Sequence, residues 1–321
     1  MYRLPRIRLR AVLAALAAIG IVKCLIALPG IPSNGEAPGQ DSPYRYDIKV
    51  ELVALYATVF DRSGKLVTDL HRDDFILYDE GKPQVISQFS REYIPLSIVL
   101  LLDTSGSMDG QKLDYACKSL VQFLKSLNRG DEVMLMDFRN KPRVVRPFNE
   151  NFGEIERDLR QLEGSGSTAL YDAILAALDQ IQSAHNRRRA ILLLSDGINT
   201  YGKARLEDTV AGLRKRGIEL YAIGLETELP EDADDKIVTR SVLDKLTQSA
   251  GGESFIIGDP RNLKRICAMI SDRMHNQYSF GYYPPETTEG EWRTIKLETR
   301  IRGYRVIASK AGYYAIARQS R

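Results

Sequence analysis

Two apolar runs dominate the hydrophobic pattern of this chain. Residues 98–102 (IVLLL) and 190–194 (AILLL) contain only aliphatic residues and alanine. A strand without alternation of apolar and polar residues is typical of a parallel sheet that helices cover on both faces. Because segments with helical spacing separate such strands, the pattern predicts a doubly wound α/β domain with a mostly parallel sheet over residues 94–276.

The helices and further strands of this domain follow from the same pattern. Helices are predicted over residues 111–127, 170–181, 238–248 and 260–274, the last with Asp259 as its cap. Strands are predicted over residues 131–138, 143–148, 218–224 and 253–257.

Short segments on both sides of that domain have the composition of β-strands. Three precede it, at residues 46–60, 75–78 and 85–89, and three follow it, at residues 277–283, 292–300 and 304–307. Isolated short hairpins are marginally stable in water. We therefore expect residues 44–93 and 277–321 to form one small β-sandwich module into which the α/β domain is inserted.

Residues 1–28 have the order of a secretory signal. The first ten residues hold four arginines and no acid, and residues 11–22 are apolar, which is shorter than the roughly 20 residues of a membrane span. Lys23 follows without a clear small-x-small cleavage site, so a cleaved signal peptide and an N-terminal anchor remain alternatives. Residues 29–43, rich in proline and glycine, are predicted to form a flexible linker. The expected location is therefore periplasmic, secreted, or anchored by the N-terminus.

Composition narrows the function further. The chain of 321 residues is 44% hydrophobic and 27% charged, as is usual for a folded protein. Removing residues 1–28 changes the net charge from +3 to −2, which leaves no electrostatic case for nucleic-acid binding. Of the three cysteines, one lies in the leader. Cys117 and Cys267 lie on apolar faces of predicted helices, so we expect two buried thiols, with a disulfide bond as the alternative.

Each of the two apolar strands leads into oxygen-bearing side chains. Asp103, Ser105 and Ser107 follow the first at a spacing of two, which places them on one side of an extended chain. Asp196 follows the second strand, and ligands of open α/β sheets bind beyond the carboxyl ends of the strands. Carboxylates and hydroxyls suit a hard cation such as Mg²⁺. For the first segment alone, a simple capping turn is the competing interpretation.

In these residues the chain resembles the von Willebrand factor type A domain with its metal-ion-dependent adhesion site. That pattern is D-x-S-x-S, a threonine on a later loop and an aspartate after a later strand. Asp103, Ser105, Ser107, Thr168 and Asp196 supply it in the expected order. The resemblance covers about residues 94–276, and short motifs in the flanks resemble a bacterial family of exported proteins related to this domain.

The resemblance implies a role for each residue. Ser105 and Ser107 would bind Mg²⁺ through their hydroxyls, Thr168 directly or through water, and Asp103 and Asp196 directly or by holding metal-bound waters. Mn²⁺ suits the same oxygens. The cation would accept an Asp or Glu carboxylate from a protein ligand, so the expected function is metal-dependent protein binding or adhesion outside the cytoplasm, with no catalytic residues.

Two other functions compete with this one. A Mg²⁺-dependent hydrolase could use Asp103 as its nucleophile, but none of His71, His185 and His275 neighbours the motif, and the chain contains no G-x-S-x-G, Walker or H-E-x-x-H sequence. Because Asp103 has no such histidine or motif beside it, we expect no enzymatic activity. The second alternative is a scaffold or assembly factor of the cytoplasm, which the leader disfavours.

Overall fold

The computed structural model describes residues 52–196, 199–225, 233–285 and 290–315, with side chains from residue 240 onward in the helix that begins at Ala233. The predicted leader and linker lie outside these ranges. Within the described part of the chain, no helix is long and apolar enough to cross a membrane.

Helices and strands alternate through the middle of the described chain, and strands alone flank this part. The α-helices are α1 (Gln111–Leu124), α2 (Phe152–Leu159), α3 (Leu170–Gln180), α4 (Leu206–Arg216), α5 (Ala233–Ala250) and α6 (Leu263–His275). The strands are β1 (Val53–Phe60), β2 (Leu66–Val67), β3 (Phe75–Asp79), β4 (Lys82–Gln84), β5 (Gln88–Ser90), β6 (Leu96–Asp103), β7 (Glu132–Phe138), β8 (Pro142–Asn149), β9 (Arg188–Ser195), β10 (Glu219–Leu225), β11 (Ser254–Ile257), β12 (Tyr278–Tyr282), β13 (Trp292–Thr299), β14 (Arg305–Ala308) and β15 (Gly312–Tyr314).

The central sheet has the strand order β11-β10-β9-β6-β7-β8, and only the edge strand β8 runs antiparallel to its neighbour. Alternate residues of β6 enter two separate cores. Leu100 packs with α1, α2 and α6 on one face, whereas Leu101 packs with α3, α4 and α5 on the other. Both side chains are fully buried, which explains why β6 contains no polar residue between Ile98 and Leu102. The predicted doubly wound α/β fold is confirmed.

The flanking strands form two further sheets, with orders β14-β1-β12-β5 and β15-β13-β3-β4. Each sheet combines strands from before and after the α/β domain, since Leu55 lies opposite Phe280 and Leu77 lies opposite Leu297. Side chains from both sheets share one apolar core. The α/β domain is therefore inserted into a β-sandwich, as expected, while the boundaries at residues 44, 94 and 277 stay a prediction.

Sequence patterns missed helices α2 and α4 and the short strands β2, β4 and β15, and they placed the start of one strand too early. In α2 and α4 the apolar residues do recur at helical spacing, but charged residues on the exposed faces hide the pattern. The strand predicted over residues 85–89 exists but begins later, because Val85 is 82% exposed and pairing starts only at Gln88. An apolar residue without a neighbouring sheet face to cover it does not make a strand.

Both cysteines of the α/β domain are free thiols. Cys267 is fully buried in α6, and Cys117 packs on the same core from α1. Burial raises the pKa of Cys117 to about 11 and that of Cys267 to about 12. The expectation of a buried thiol is confirmed for Cys267, whereas Cys117 is only partly buried, and neither is poised as a nucleophile at neutral pH.

A buried ionic cluster joins four strands of the β-sandwich. Asp79, at the end of β3, is fully buried and accepts a hydrogen bond from Arg293 Nε at 2.8 Å. Its second carboxylate oxygen accepts hydrogen bonds from the hydroxyls of Tyr282 and Tyr313, at 2.8 and 2.9 Å. Desolvation and the carboxylate raise the pKa of Tyr313 to about 12, so both tyrosines remain donors. The cluster therefore connects the segments before and after the inserted domain.

Replacing Arg293 with methionine should destabilise the protein by about 3–5 kcal/mol, because the buried Asp79 carboxylate would lose its counter-ion. Urea unfolding at pH 7 measures this change. Arg300→Met, at an exposed position, is the matched control and should stay within about 0.5 kcal/mol of wild type. Equal stability of the two variants would show that the cluster does not support the fold.

Lys310 gives the fold a distinctive pH dependence. It lies in the turn between β14 and β15, close to Gly217 at the end of α4. Burial lowers the pKa of Lys310 to about 8, whereas an unfolded lysine titrates near pH 10.4. The unfolded chain therefore binds more protons than the folded one between these values, and the contribution of Lys310 to stability rises with pH across that window.

Lys310→Met should consequently stabilise the protein at pH 7 by about 1–3 kcal/mol, because it removes a buried charge. That gain should shrink steadily between pH 8 and pH 10.5, which urea unfolding at several pH values will show. Lys82→Met, at an exposed position on β4, is the control and should show no such trend. A gain independent of pH would mean that the methionine improves packing and that the charge is not the cause.

Candidate functional site

The candidate site lies where the order of the central sheet reverses. The chain continues from β6 to β7 on one side, while β9 pairs with β6 on the other. In this parallel register Leu102 lies opposite Leu194. The carboxyl ends of β6 and β9 therefore bring Asp103 next to Ser195 and Asp196, at the position where open α/β sheets bind ligands.

Asp103 is the buried carboxylate of the site. Its side chain is fully enclosed, and its two oxygens accept hydrogen bonds from the Ser105 amide at 2.8 Å and from Ser195 Oγ at 2.5 Å. Desolvation raises the pKa of Asp103 to about 6, although the hydrogen bonds from Ser195 and Ser105 oppose this shift. An ionised carboxylate at this position is stabilised by any additional positive charge.

Ser105, Ser107 and Asp196 continue the same hydrogen-bonded chain. The hydroxyls of Ser105 and Ser107 lie 3.1 Å apart, and Ser107 Oγ donates to Asp196 Oδ1 at 2.7 Å. Four of the five residues singled out from the sequence are thus linked by hydrogen bonds, directly or through a backbone amide. They present carboxylate and hydroxyl oxygens from two different loops.

Thr168 is placed by the third loop. The Gly106 amide donates to the Gly166 carbonyl at 2.9 Å, and the Ser165 amide donates to the Thr104 carbonyl at 2.9 Å, so the two loops pack backbone against backbone. Thr168 is buried, and its amide donates to Thr200 Oγ1 at 3.0 Å. The loop therefore holds Thr168 by its main chain, two residues beyond its contact with the Ser105–Ser107 segment.

This close packing requires glycine at position 164. A Cβ atom there would lie 2.7 Å from the Cα atom of Asp109. Such a distance would force one of the two backbones to move. The glycines of this loop are therefore needed for close approach of the chain segments.

Lys112 also belongs to the site, although it is not among the five candidate residues. Its ammonium group donates to the Ser107 carbonyl at 3.0 Å and also to Asp196 Oδ2. Lys112 is the second residue of α1, where the helix dipole disfavours a positive charge. A lysine at the start of a helix directly after an acid-bearing motif was the available signal.

Further residues outside the five support the loops. Asn140 Oδ1 accepts a hydrogen bond from the Ser167 amide at 2.7 Å, and Asn199 Oδ1 accepts one from the Tyr171 amide at 3.2 Å. Short polar side chains of this kind are common in all loops. Nothing in their sequence context marks these two as part of the site.

The donor set fits a hard divalent cation. Within the described residues there is no cluster of three or more His, Cys, Asp or Glu side chains, so a metal here would rely on two carboxylates and several hydroxyls. Such oxygen-only sets with few carboxylates suit Mg²⁺, which retains part of its water. The Lys112 ammonium, bound to Asp196, already shows that this carboxylate accepts a cation.

Two of the three histidines lie at the opposite edge of the sheet. His185 Nδ1 lies 2.8 Å from Glu132 Oε2, and His275 Nε2 lies 3.0 Å from Asp131 Oδ2. Both acids are at the amino end of β7, whereas Asp103 lies opposite Phe138 at the carboxyl end of the same strand. His71 belongs to the β-sandwich segment. None of the three is placed to act as a proton carrier at the candidate site.

Comparisons with known proteins agree with this fold. Residues 98–199 match the family model of the von Willebrand factor type A domain. An uncharacterized protein of Synechocystis sp. is 25% identical over 189 residues, which cover 57% of this chain and 42% of that protein. Inter-alpha-trypsin inhibitor heavy chain H4 of Sus scrofa is 26% identical over 150 residues, which cover 43% of this chain and 16% of that protein. The chain thus spans less than half the length of these relatives.

Among solved structures, a von Willebrand factor type A protein from Catenulispora acidiphila aligns over 84% of this chain and 76% of its own, with 12% identity and a TM-score of 0.49. The α/β domain of this protein has the fold of von Willebrand factor type A domains, and residues 98–199 within it match the model of that family. Domains of this class typically serve as adhesion or protein-interaction modules.

Lys112→Met should destabilise the protein in chelator by about 1–3 kcal/mol, since the enclosed Asp196 carboxylate would lose its charged partner. Thermal or urea unfolding in EDTA measures the change. Lys118→Met is the matched control, because Lys118 lies on the same helix but is 75% exposed and pairs only with Asp114 at 4.0 Å. Identical behaviour of the two variants would show that the Lys112–Asp196 pair contributes nothing.

Proposed function

We propose that Asp103, Ser105, Ser107, Thr168 and Asp196 bind Mg²⁺, and that the bound cation accepts an Asp or Glu side chain from a protein partner outside the cytoplasm. The observation that carries this proposal is the hydrogen-bonded chain of carboxylate and hydroxyl oxygens at the sheet reversal. Mn²⁺ suits the same oxygens.

Each residue has a separate role in this function. Ser105 and Ser107 offer neutral hydroxyl ligands, and Asp103 is held in place by Ser195 and by the Ser105 amide. Asp196 is the second negative ligand. When bound, Mg²⁺ supplies a positive charge that two carboxylates only balance, so an open position can attract a third carboxylate from a partner.

Lys112 adjusts the charge of the site. Its ammonium neutralises Asp196 when no metal is bound, which reduces the electrostatic repulsion between the carboxylates of Asp103 and Asp196. Mg²⁺ must then compete with Lys112 for Asp196. We expect moderate metal affinity as a consequence, and a site that remains folded when Mg²⁺ leaves.

Binding is better supported than catalysis. A hydrolase would need a group that transfers protons near Asp103, and the histidines lie elsewhere. Interaction modules of this domain class need no such group. Export is proposed from the leader sequence alone, which lies outside the described residues.

Titration with MgCl₂ in a calorimeter tests the metal site directly. The Ser105→Ala/Ser107→Ala double variant should bind Mg²⁺ at least tenfold more weakly than wild type, because it loses two hydroxyl ligands. Ser183→Ala, at an exposed position, is the control and should bind normally. Equal affinity of wild type and the double variant would overturn the assignment.

The partner is tested by a pull-down from the envelope fraction of the source organism. We expect a protein that is retained by wild type in Mg²⁺, and lost both in EDTA and with the double variant. A partner that binds regardless of metal and mutation would place the interaction on another surface.

A further inference from the structure

A groove separates the helical side of the α/β domain from the β-sandwich. Its volume is ≈ 810 Å³, which falls within the range of ordinary ligand sites. Arg214 of α4 and the outer face of α5 form one wall, while Trp292 and Thr294 of β13 belong to the other. The groove lies away from the candidate metal site and shares no residue with it.

The charge of the groove is positive. Three cationic side chains line it, those of Arg214, Arg240 and Lys245, against one acid, Asp244. Asp244 accepts a hydrogen bond from the Ser254 hydroxyl, which satisfies part of its carboxylate. Lys245 forms an exposed ion pair with Glu207 at 3.7 Å.

Arg214 and Arg240 differ from Lys245 in their lack of an acidic partner among the described residues. Within the described part of the chain, neither Arg214 nor Arg240 forms an ion pair. Two guanidinium groups that share a groove and have no carboxylate partner among the described side chains are well suited to bind one, since each offers a planar fork of donors.

The aromatic residue of the groove does not offer a stacking surface. The Trp292 ring contacts the Tyr314 ring edge to face, with centroids 4.9 Å apart. Its six-membered ring also lies against the backbone of Gly312, where an added Cβ atom would come within 2.5 Å of Cζ2. Because Tyr314 and the Gly312 backbone contact parts of the half-buried indole, less of the ring is available for stacking. Recognition must come from charge and hydrogen bonds, which favours an acidic peptide over a sugar that stacks on an aromatic ring.

The length of the groove follows from α5. Arg240, Asp244 and Gln248 lie four residues apart and line one wall, so this wall is about 12 Å long at 1.5 Å per residue. An extended peptide rises about 3.3 Å per residue, which gives room for about four residues. Ser241, Gln248 and Thr294 can exchange hydrogen bonds with the main chain of such a peptide.

We propose that this groove binds a short acidic segment of a protein partner, whose carboxylates pair with Arg214 and Arg240. This interaction requires no metal and is independent of the function proposed above. It would give the protein a second contact surface on the junction between its two parts.

Trp292 provides a direct readout, because it is the only tryptophan of the chain. Titrating the purified full-length protein with hexaglutamate in EDTA should change its tryptophan fluorescence saturably, and hexaglutamine should not. Arg214→Gln/Arg240→Gln should weaken hexaglutamate binding at least tenfold. The control Arg157→Gln/Arg160→Gln removes the same charge from exposed positions on and next to α2 and should bind like wild type.

Other outcomes decide against the proposal. An absent or unsaturable signal, or equal weakening in both double variants, would show that the groove has no specific acidic site. Tighter binding of oligogalacturonate than of hexaglutamate would overturn the peptide assignment. The Ser105→Ala/Ser107→Ala variant should bind hexaglutamate normally in EDTA, so failure of the metal site and failure of the groove can be told apart.

Discussion

The parallel pairing of β6 with β9 is the constraint on which the candidate site depends. Both strands are buried on two faces, so residues 98–102 of β6 and residues 190–194 of β9 are all apolar. Polar side chains can appear only where the strands leave the core. The register of the two strands then places Asp103 beside Ser195, and one hydrogen bond of 2.5 Å connects them. The site is thus a direct consequence of how the sheet is covered.

The β-sandwich depends on a different kind of constraint. Its strands come from segments separated by the whole α/β domain, and the Asp79–Arg293 cluster links them in the interior. At the amino end of β9, Arg188 donates a hydrogen bond to Gln277, which precedes β12. The guanidinium carbon of Arg188 lies 5.1 Å from the centre of the Tyr56 ring. Arg188 therefore connects the inserted domain with the sandwich residue Tyr56 and with the segment that leads into β12. The groove with Arg214 and Arg240 lies along the same junction.

Positive charge has two distinct uses in this protein. Lys112 contacts Asp196 inside the candidate metal site and neutralises one of its two carboxylates. Arg214 and Arg240 line the groove without such a partner among the described residues. The Lys112 ammonium compensates the charge of an enclosed carboxylate, whereas a guanidinium without a carboxylate partner favours anions. The two surfaces would therefore select ligands in different ways, although both accept a carboxylate in the functions proposed for them.

Much of the fold was predictable from local pattern. The aliphatic runs, the helical stripe of α1 and the order of elements determined the α/β class, because burial on two faces leaves a clear signal in sequence. Helices α2 and α4 were missed, since short helices with one apolar face carry too few apolar residues to stand out. Val85 was placed in a strand because apolar character alone does not show whether a sheet face is available to bury it.

The sequence by itself marked Asp103, Ser105, Ser107 and Asp196 as candidate oxygen ligands, because they follow two apolar strands, and the resemblance to the von Willebrand factor type A pattern added Thr168. Only the tertiary structure decided which groups share the site with them. Lys112 reaches Asp196 across 84 residues of chain, and Ser195 contacts Asp103 because their strands are neighbours. The groove likewise combines α4 and α5 with β13, which local sequence cannot reveal. Contacts between distant segments depend on strand order and packing, and neither is encoded in the spacing of residues along one segment.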